Sequence, residues 1–256
     1  MKIWAKILGT VLVLVTAVGM SSNAFGFLGF GGTSWKEEVQ LHDGSRLVVK
    51  RWQSYGGRHE IGQSPPVKEQ HITFAMPGSD KTVSFKSEYG ADIGTTNFNL
   101  LALHISNSTP YIVATPFMCL SFNKWGRPNP PYVIFKHNGT DWQRITIQEL
   151  PAEFKEINLV IETKGEMKSL EAPPVVSAEL VRKLNGKLKR PEYQSILRES
   201  LPKPNECPEM IYDGKGGWVG VGWFKEQPNY EACLRHCHLN GMTDQYCPCG
   251  TLFKGK

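Results

Sequence analysis

Between Trp35 and about Ile161 the chain alternates short apolar runs with clusters of turn residues. Val39 to Leu41 and Arg46 to Trp52 flank His42-Asp43-Gly44-Ser45, where Asp-Gly supplies the positive φ angles of a tight hairpin turn. His71 to Ala75 and Thr82 to Lys86 flank Pro77-Gly78-Ser79-Asp80. Leu100 to Ile105 and Tyr111 to Ala114 flank Asn107-Ser108-Thr109-Pro110. Tyr132 to Lys136 and Gln143 to Ile147 flank His137-Asn138-Gly139-Thr140. Leu159 to Glu162 reads as one further short strand. Four hairpins in succession predict an antiparallel arrangement, as a sandwich, a meander or a partial barrel. The turn Asn138 to Trp142 resembles that of an aspartate box, but it occurs once, so a repeating propeller is not predicted.

The period changes near residue 165. Glu171-Ala172-Pro173-Pro174 interrupts any sheet, and Ser177 is placed to cap a helix beginning at Ala178. Leu180, Leu184 and Leu188 share one face of that helix. Pro191 suits the first turn of a second short helix through Arg198. Trp218 to Phe224 reads as a glycine-rich strand, and Asn229 to Leu239 as a helix stopped by Gly241. The pattern predicts an α+β chain. A β-rich antiparallel domain covers residues 35–165, and a small helical, disulfide-stapled region covers 175–256.

The N-terminus changes the reading of everything after it. Lys2 and Lys6 precede an apolar run from Ile7 to Met20, and Ser22-Asn23-Ala24 offers small residues at a cleavage site. That is the three-part pattern of a secretory signal peptide over residues 1–24. The run is shorter than the roughly twenty residues a spanning helix needs, so a retained anchor is the lesser alternative. No later segment is a second apolar span, and no transmembrane span is expected after cleavage. Residues 25–34, rich in glycine and phenylalanine, read as a flexible arm able to dock its aromatics on a surface.

Composition adds exclusions. The chain is 40% hydrophobic and 21% charged, ordinary for a globular protein. A formal charge of +5, with basic residues scattered among acidic ones as in Lys36-Glu37-Glu38, gives no footprint for nucleic acid. The basic stretch Arg182 to Arg198 reads as a solvated helix face.

An exported chain meets an oxidising compartment, where paired cysteines are the default. Cys233 and Cys237 lie one helical turn apart, and Cys247-Pro248-Cys249 returns after Gly241. Two disulfides among these four leave Cys119 and Cys207 to tie the tail to the sheet. The competing reading makes Cys233, Cys237, Cys247 and Cys249 a zinc set, with His236 and His238 nearby. The spacing is uncommon for zinc, and six cysteines allow fifteen pairings.

Motifs of known chemistry are missing. There is no Gly-x-Ser-x-Gly elbow. His59-Glu60 begins a zinc-peptidase motif, but Gln63 stands where its second histidine belongs. Gly214-Lys215-Gly216-Gly217 has the wrong spacing for a phosphate loop and reads as a turn. No cofactor is expected. Two candidate sites remain. Arg58, His59 and Glu60 form a polar loop, with Arg58 to orient a substrate and His59 or Glu60 to move protons in an envelope hydrolase. Trp125, Arg127, Asn129 and Tyr132 lie on a proline-stiffened loop suited to binding a glycan, a peptide or an envelope protein. A rigid connection whose Trp125 plugs the core is the plainer reading of that loop.

Three segments together carry a resemblance: Gly57 to Gln63, Lys124 to Tyr132, and Arg190-Pro191-Glu192-Tyr193. They resemble a family of exported proteins of Gram-negative bacteria that has no assigned function, over a stretch from about Trp35 to the last helix. The resemblance implies a periplasmic or secreted, envelope-associated protein and assigns no catalytic residue. The expectation is a non-enzymatic binding or structural module acting through the Trp125 loop. The alternatives are the hydrolase and a zinc-stabilised structural protein.

Overall fold

The computed structural model describes residues 32–161, 163, 165–202 and 206–253. The signal-peptide reading of 1–24 and the arm as far as residue 31 lie outside the described residues. Thr33 and Ser34, expected in the arm, already belong to the first strand.

In chain order the strands are β1 (Thr33–Gln40), β2 (Arg46–Tyr55), β3 (Val67–Ala75) and β4 (Thr82–Lys86), then β5 (Tyr89–Gly90) and β6 (Thr95–Thr96). There follow β7 (Phe98–Ser106), β8 (Thr109–Pro116), helix α1 (Met118–Lys124), β9 (Val133–His137) and β10 (Trp142–Ile145). Helices α2 (Met167–Glu171) and α3 (Ala178–Asn185) come next, then β11 (Met210–Tyr212) and β12 (Trp218–Gly220). The chain closes with α4 (Gly222–Lys225), α5 (Tyr230–Leu239) and α6 (Cys249–Leu252).

β1 to β4 form one antiparallel meander and β7 to β10 another. Period-two alternation buries Val39, Val49, Ile72, Phe74, Val83 and Phe85 on one face of the first sheet. Leu100, Leu103, Ile105, Ile112, Ala114 and Val133 meet them from the second, in one shared core. The architecture is therefore a sandwich of two meanders. The far face of the second sheet is also apolar, and Phe154, Ile157 and Ile196 cover it.

Edge strands need protection from stray pairing. Val176 covers β1, accepting from Glu38 N and donating to Lys36 O, both at 2.8 Å. The Asn158 amide covers β7. It accepts from Leu103 N at 2.9 Å, and its Nδ2 donates to Leu103 O at 2.8 Å and to Gln40 O of β1 at 2.9 Å. One side chain thus stitches the edges of both sheets.

The sandwich core turns polar at one end. Glu37 and Arg51, 0% and 1% exposed, form an ion pair at 2.7 Å. Trp35 Nε1 donates to Glu37 Oε2 at 2.7 Å, and its ring lies 5.1 Å from the guanidinium. Arg51 Nη2 reaches Gln70 Oε1 at 3.2 Å, and Gln70 Nε2 donates to Phe98 O at 2.9 Å. Ser87 Oγ accepts from Gln70 N at 2.8 Å and contacts Thr96 Oγ1 at 2.9 Å. Leu170, Val176, Val181 and Leu184 close over Trp35.

Several expected elements differ. Leu159 donates to Leu101 O at 3.0 Å but forms no ladder strand, because the Asn158 side chain takes the neighbouring edge groups; Glu162 is not described. Pro191 opens a single 3-10 turn to Tyr193 instead of a helix to Arg198. The strand from Trp218 ends at Gly220 and turns into α4. Ser177 Oγ caps α3 by accepting from Leu180 N at 3.2 Å, but the helix buries Ala178, Val181, Leu184 and Asn185. Leu180 is only partly buried against that core.

Removing one partner of a buried pair leaves an uncompensated charge. Arg51→Met is expected to cost about 3–5 kcal/mol in denaturant unfolding. The double variant Glu37→Leu/Arg51→Met is expected to lose less than Arg51→Met alone. His104 gives a second handle. It is fully buried, stacks on Phe154 at 4.7 Å, and its Nε2 lies 2.9 Å from Glu156 O. Burial lowers its pKa to about 4 from 6.5. Between those values the unfolded chain binds the proton and the folded chain does not. Stability is then full above about pH 6.5 and falls by about 3 kcal/mol towards pH 4. In His104→Leu the unfolding midpoint should vary less with pH over that window.

Candidate functional site

The Arg58, His59 and Glu60 loop points into solvent, and all three residues are exposed. Gly57 sets its course: with φ +100° it passes so close to Gly94 that a Cβ would stand 1.9 Å from Gly94 O. His59 Nδ1 lies 2.8 Å from Gly57 O, Glu60 accepts from Gln63 Nε2 at 3.1 Å, and Arg58 Nη2 donates to Gly216 O at 3.4 Å. No second ionisable side chain converges on His59 among the described residues. A general acid or base needs such a partner in a pocket, so this loop lacks the geometry of the hydrolase alternative.

The other candidate loop is held from within. Trp125 is half-buried and packs on Phe98 at 4.8 Å, with the Arg144 guanidinium 5.3 Å from its ring. Arg127, in the left-handed region at φ 53°, donates to Cys207 O at 2.9 Å and to Pro208 O at 3.2 Å. Asn129 pairs with both backbone groups of Leu201, at 2.9 and 2.7 Å. Tyr132 is buried, and its hydroxyl donates to Ser195 O at 3.0 Å and accepts from Leu197 N at 3.1 Å. That burial raises the phenol pKa. Asn129 and Tyr132 line a cavity of about 430 Å³ with Arg144 and Glu149. The side chains of Asn129, Tyr132, Arg144 and Glu149 already have protein partners. Trp125 and Arg127 are only partly exposed and Tyr132 is buried, so the three form no contiguous exposed patch, and their bonds brace the loop from within.

What it braces is the C-terminal region. Cys119 of α1 bonds Cys207, with Cα atoms 5.2 Å apart. Asn123 Oδ1 accepts from Met210 N at 3.0 Å, and its Nδ2 donates to Pro208 O at 3.0 Å. Beyond this clamp, Cys233–Cys249 and Cys237–Cys247 join α5 to the chain terminus in nested pairs. Asn229 Oδ1 caps α5 by accepting from Ala232 N at 2.9 Å. The core here is Phe224, Met242 and the sulfurs themselves. The sulfurs of Cys237, Cys247 and Cys249 lie within 4.8 Å of one another because the two disulfides are adjacent. All six cysteines are bonded, so no thiolate is left for the zinc alternative.

Between α1 and this stapled region lies a groove of about 820 Å³. Tyr212, Trp218 and Tyr246 supply its aromatic wall, Asp92 and Lys124 one polar rim, and Glu209 and Gln245 the other. The Tyr212 ring lies 5.7 Å from Trp218 and 5.3 Å from Tyr246. The turn from Asp213 to Gly217 fixes the first two on adjacent strands. Asp213 Oδ1 accepts from Lys215 N at 2.7 Å and Gly217 N at 2.9 Å, and these bonds hold its carboxyl below the usual range. The apparent phosphate loop is thus the turn of a two-stranded ribbon. Gly214, at φ +82°, leaves room for Tyr246, whose ring a Cβ would approach to 2.7 Å. Tyr246 remains 38% exposed at the groove mouth. The rim charges are matched, Lys124 with Asp92 at 3.2 Å and Lys225 with Glu209 at 2.5 Å. Sequence reading reached only Trp218 of this groove, as an exposed aromatic on the glycine-rich strand, because its walls come from segments over a hundred residues apart. The nearest signal was the aromatic content of Tyr212 to Trp223.

Three disulfides fit an oxidising, non-cytoplasmic setting. Among the described residues, no helix is long and apolar enough to cross a membrane. Cys119→Ser/Cys207→Ser should lose about 2–4 kcal/mol of stability. Limited proteolysis followed by mass spectrometry should then release peptides beyond Cys207 while the sandwich stays intact.

No family model, curated protein or solved structure matches this chain, so its function has to be read from its own residues.

Proposed function

We propose that this chain is an exported, non-enzymatic binding module of a Gram-negative cell envelope, periplasmic or secreted. Its partner, an envelope protein, a peptide or a glycan, seats in the groove between α1 and the stapled C-terminal region. The observation that carries the reading is the Tyr212, Trp218 and Tyr246 wall, held open on disulfide-locked elements. Rigid aromatic surface binds at low entropic cost, and a preformed concave site lined by aromatics with a few polar groups is the usual form of a ligand site. The basic start and apolar run before Ala24 support export, as do three disulfides. The resemblance carried by Gly57 to Gln63, Lys124 to Tyr132 and Arg190 to Tyr193 supports the envelope.

A photoreactive phenylalanine analogue at Tyr246, irradiated in intact cells, is expected to give one dominant adduct. The same probe at Thr82, on a distant exposed strand end, should not give it. Trp218→Ala should reduce the Tyr246 adduct several-fold. Equal labelling at both positions, or none at Tyr246, would remove the groove from consideration.

A further inference from the structure

The outward face of the first sheet carries a second feature, independent of the groove. Strand register aligns Lys36 of β1 directly opposite Lys50 of β2. Residues so paired have Cβ atoms about 5 Å apart, and like charges there destabilise the sheet. Neither ammonium has a carboxylate within 4 Å among the described residues, whereas Arg46, Lys86 and Lys124 each have one. Thr73 continues the same cross-strand row from Lys50, and Ser84 follows, with their hydroxyls 2.9 Å apart. In the next row Ser34 stands opposite Trp52, whose ring packs edge-on to His71 at 4.7 Å.

Lys36 and Lys50 also lie in a concavity of about 280 Å³. Ser34 lines it on the sheet side, and Glu171, Pro173 and Pro174 wall it on the other. Adjacent prolines make that wall stiff, so little order is lost when a ligand enters. Two ammonium groups outweigh the single carboxylate of Glu171.

We infer that this cleft and the hydroxyl-bearing rows beside it bind an acidic oligosaccharide. One sugar carboxylate lies between Lys36 and Lys50. Sugar hydroxyls pair with Glu171 and Ser34, and further along the face with Thr73 and Ser84. The cavity is the size of about one sugar unit, and the sheet face extends the site for a chain. A lipid surface fits less well, because among the described residues the large apolar side chain exposed on this face is Val48 alone, at 49%. Peripheral membrane contacts use a wider apolar face beside the cations.

The test is calorimetric titration with a galacturonic acid hexamer at low salt, using the full mature protein. Wild type is expected to bind, and to weaken as salt screens the charges. Lys36→Gln/Lys50→Gln should weaken binding about tenfold or more. Its thermal midpoint should stay level or rise, because a repulsive pair is gone. Lys36→Arg/Lys50→Arg should retain binding. Three results would each overturn the inference: no binding by wild type, equal binding of a neutral maltohexaose, or an unchanged Kd in the double glutamine variant. Association with phosphatidylglycerol vesicles that depends on both lysines, without binding of the hexamer, would reassign the cleft to lipid. Loss of the Tyr246 adduct leaves this site untouched, so the two surfaces stand or fall separately.

Discussion

The ion pair between Glu37 and Arg51 constrains the rest of the sandwich. Two charges without water are tolerated only when every remaining lone pair and proton finds a partner. Trp35 and Gln70 meet much of that demand directly, and Ser87 and Thr96 hold Gln70 from behind, while Arg51 Nε keeps no hydrogen-bond partner among the described residues. Meeting it fixes the register of β1 on β2, because a slip of either strand by one residue would turn its charge outward. It also explains the cover formed by α2 and α3. The polar end of the core meets the second sheet through the Gln70 bond to Phe98 O, and separate apolar residues close it over Trp35.

The second organising link is the clamp of α1 on the C-terminal region. Asn123 and Arg127 hold the backbone at Cys207 and Pro208, and the Cys119 disulfide makes the hold covalent. A region of this size has too few apolar side chains to be firm alone. Nested disulfides and docking supply what its small core does not. The groove exists because a rigid ribbon is fastened beside a rigid sandwich with a gap between them.

Most of the sandwich was legible because period-two alternation and Asx-Gly turns are local signals. His42 to Ser45 and His137 to Thr140 each join the strands that flank them. Glu37 was not legible as a core residue, since Lys36-Glu37-Glu38 reads as surface charge. The signal lay in the alternation, which places Glu37 between Trp35 and Val39 on one face. Short helices such as α1 and α2 fell below what periodicity can register. The sequence left the Trp125 loop open between two readings for a physical reason: Trp, Arg, Asn and Tyr suit an internal brace as well as an external contact. Only their partners distinguish the two, and those partners lie 60 to 80 residues away in sequence.

The nesting of the two C-terminal disulfides has a consequence for biogenesis. Cys233 and Cys237 are neighbours in sequence, and so are Cys247 and Cys249. Pairing by closeness in sequence would join neighbours. The native pattern instead joins the outer pair and the inner pair across the α5 turn. From a form that had joined neighbours, the native pattern is reached by bond exchange through mixed disulfides, beyond oxidation alone. Once α5 has formed, its geometry sets Cys233 and Cys237 as two separate rungs for the returning pair, so the order of folding and oxidation decides which bonds form.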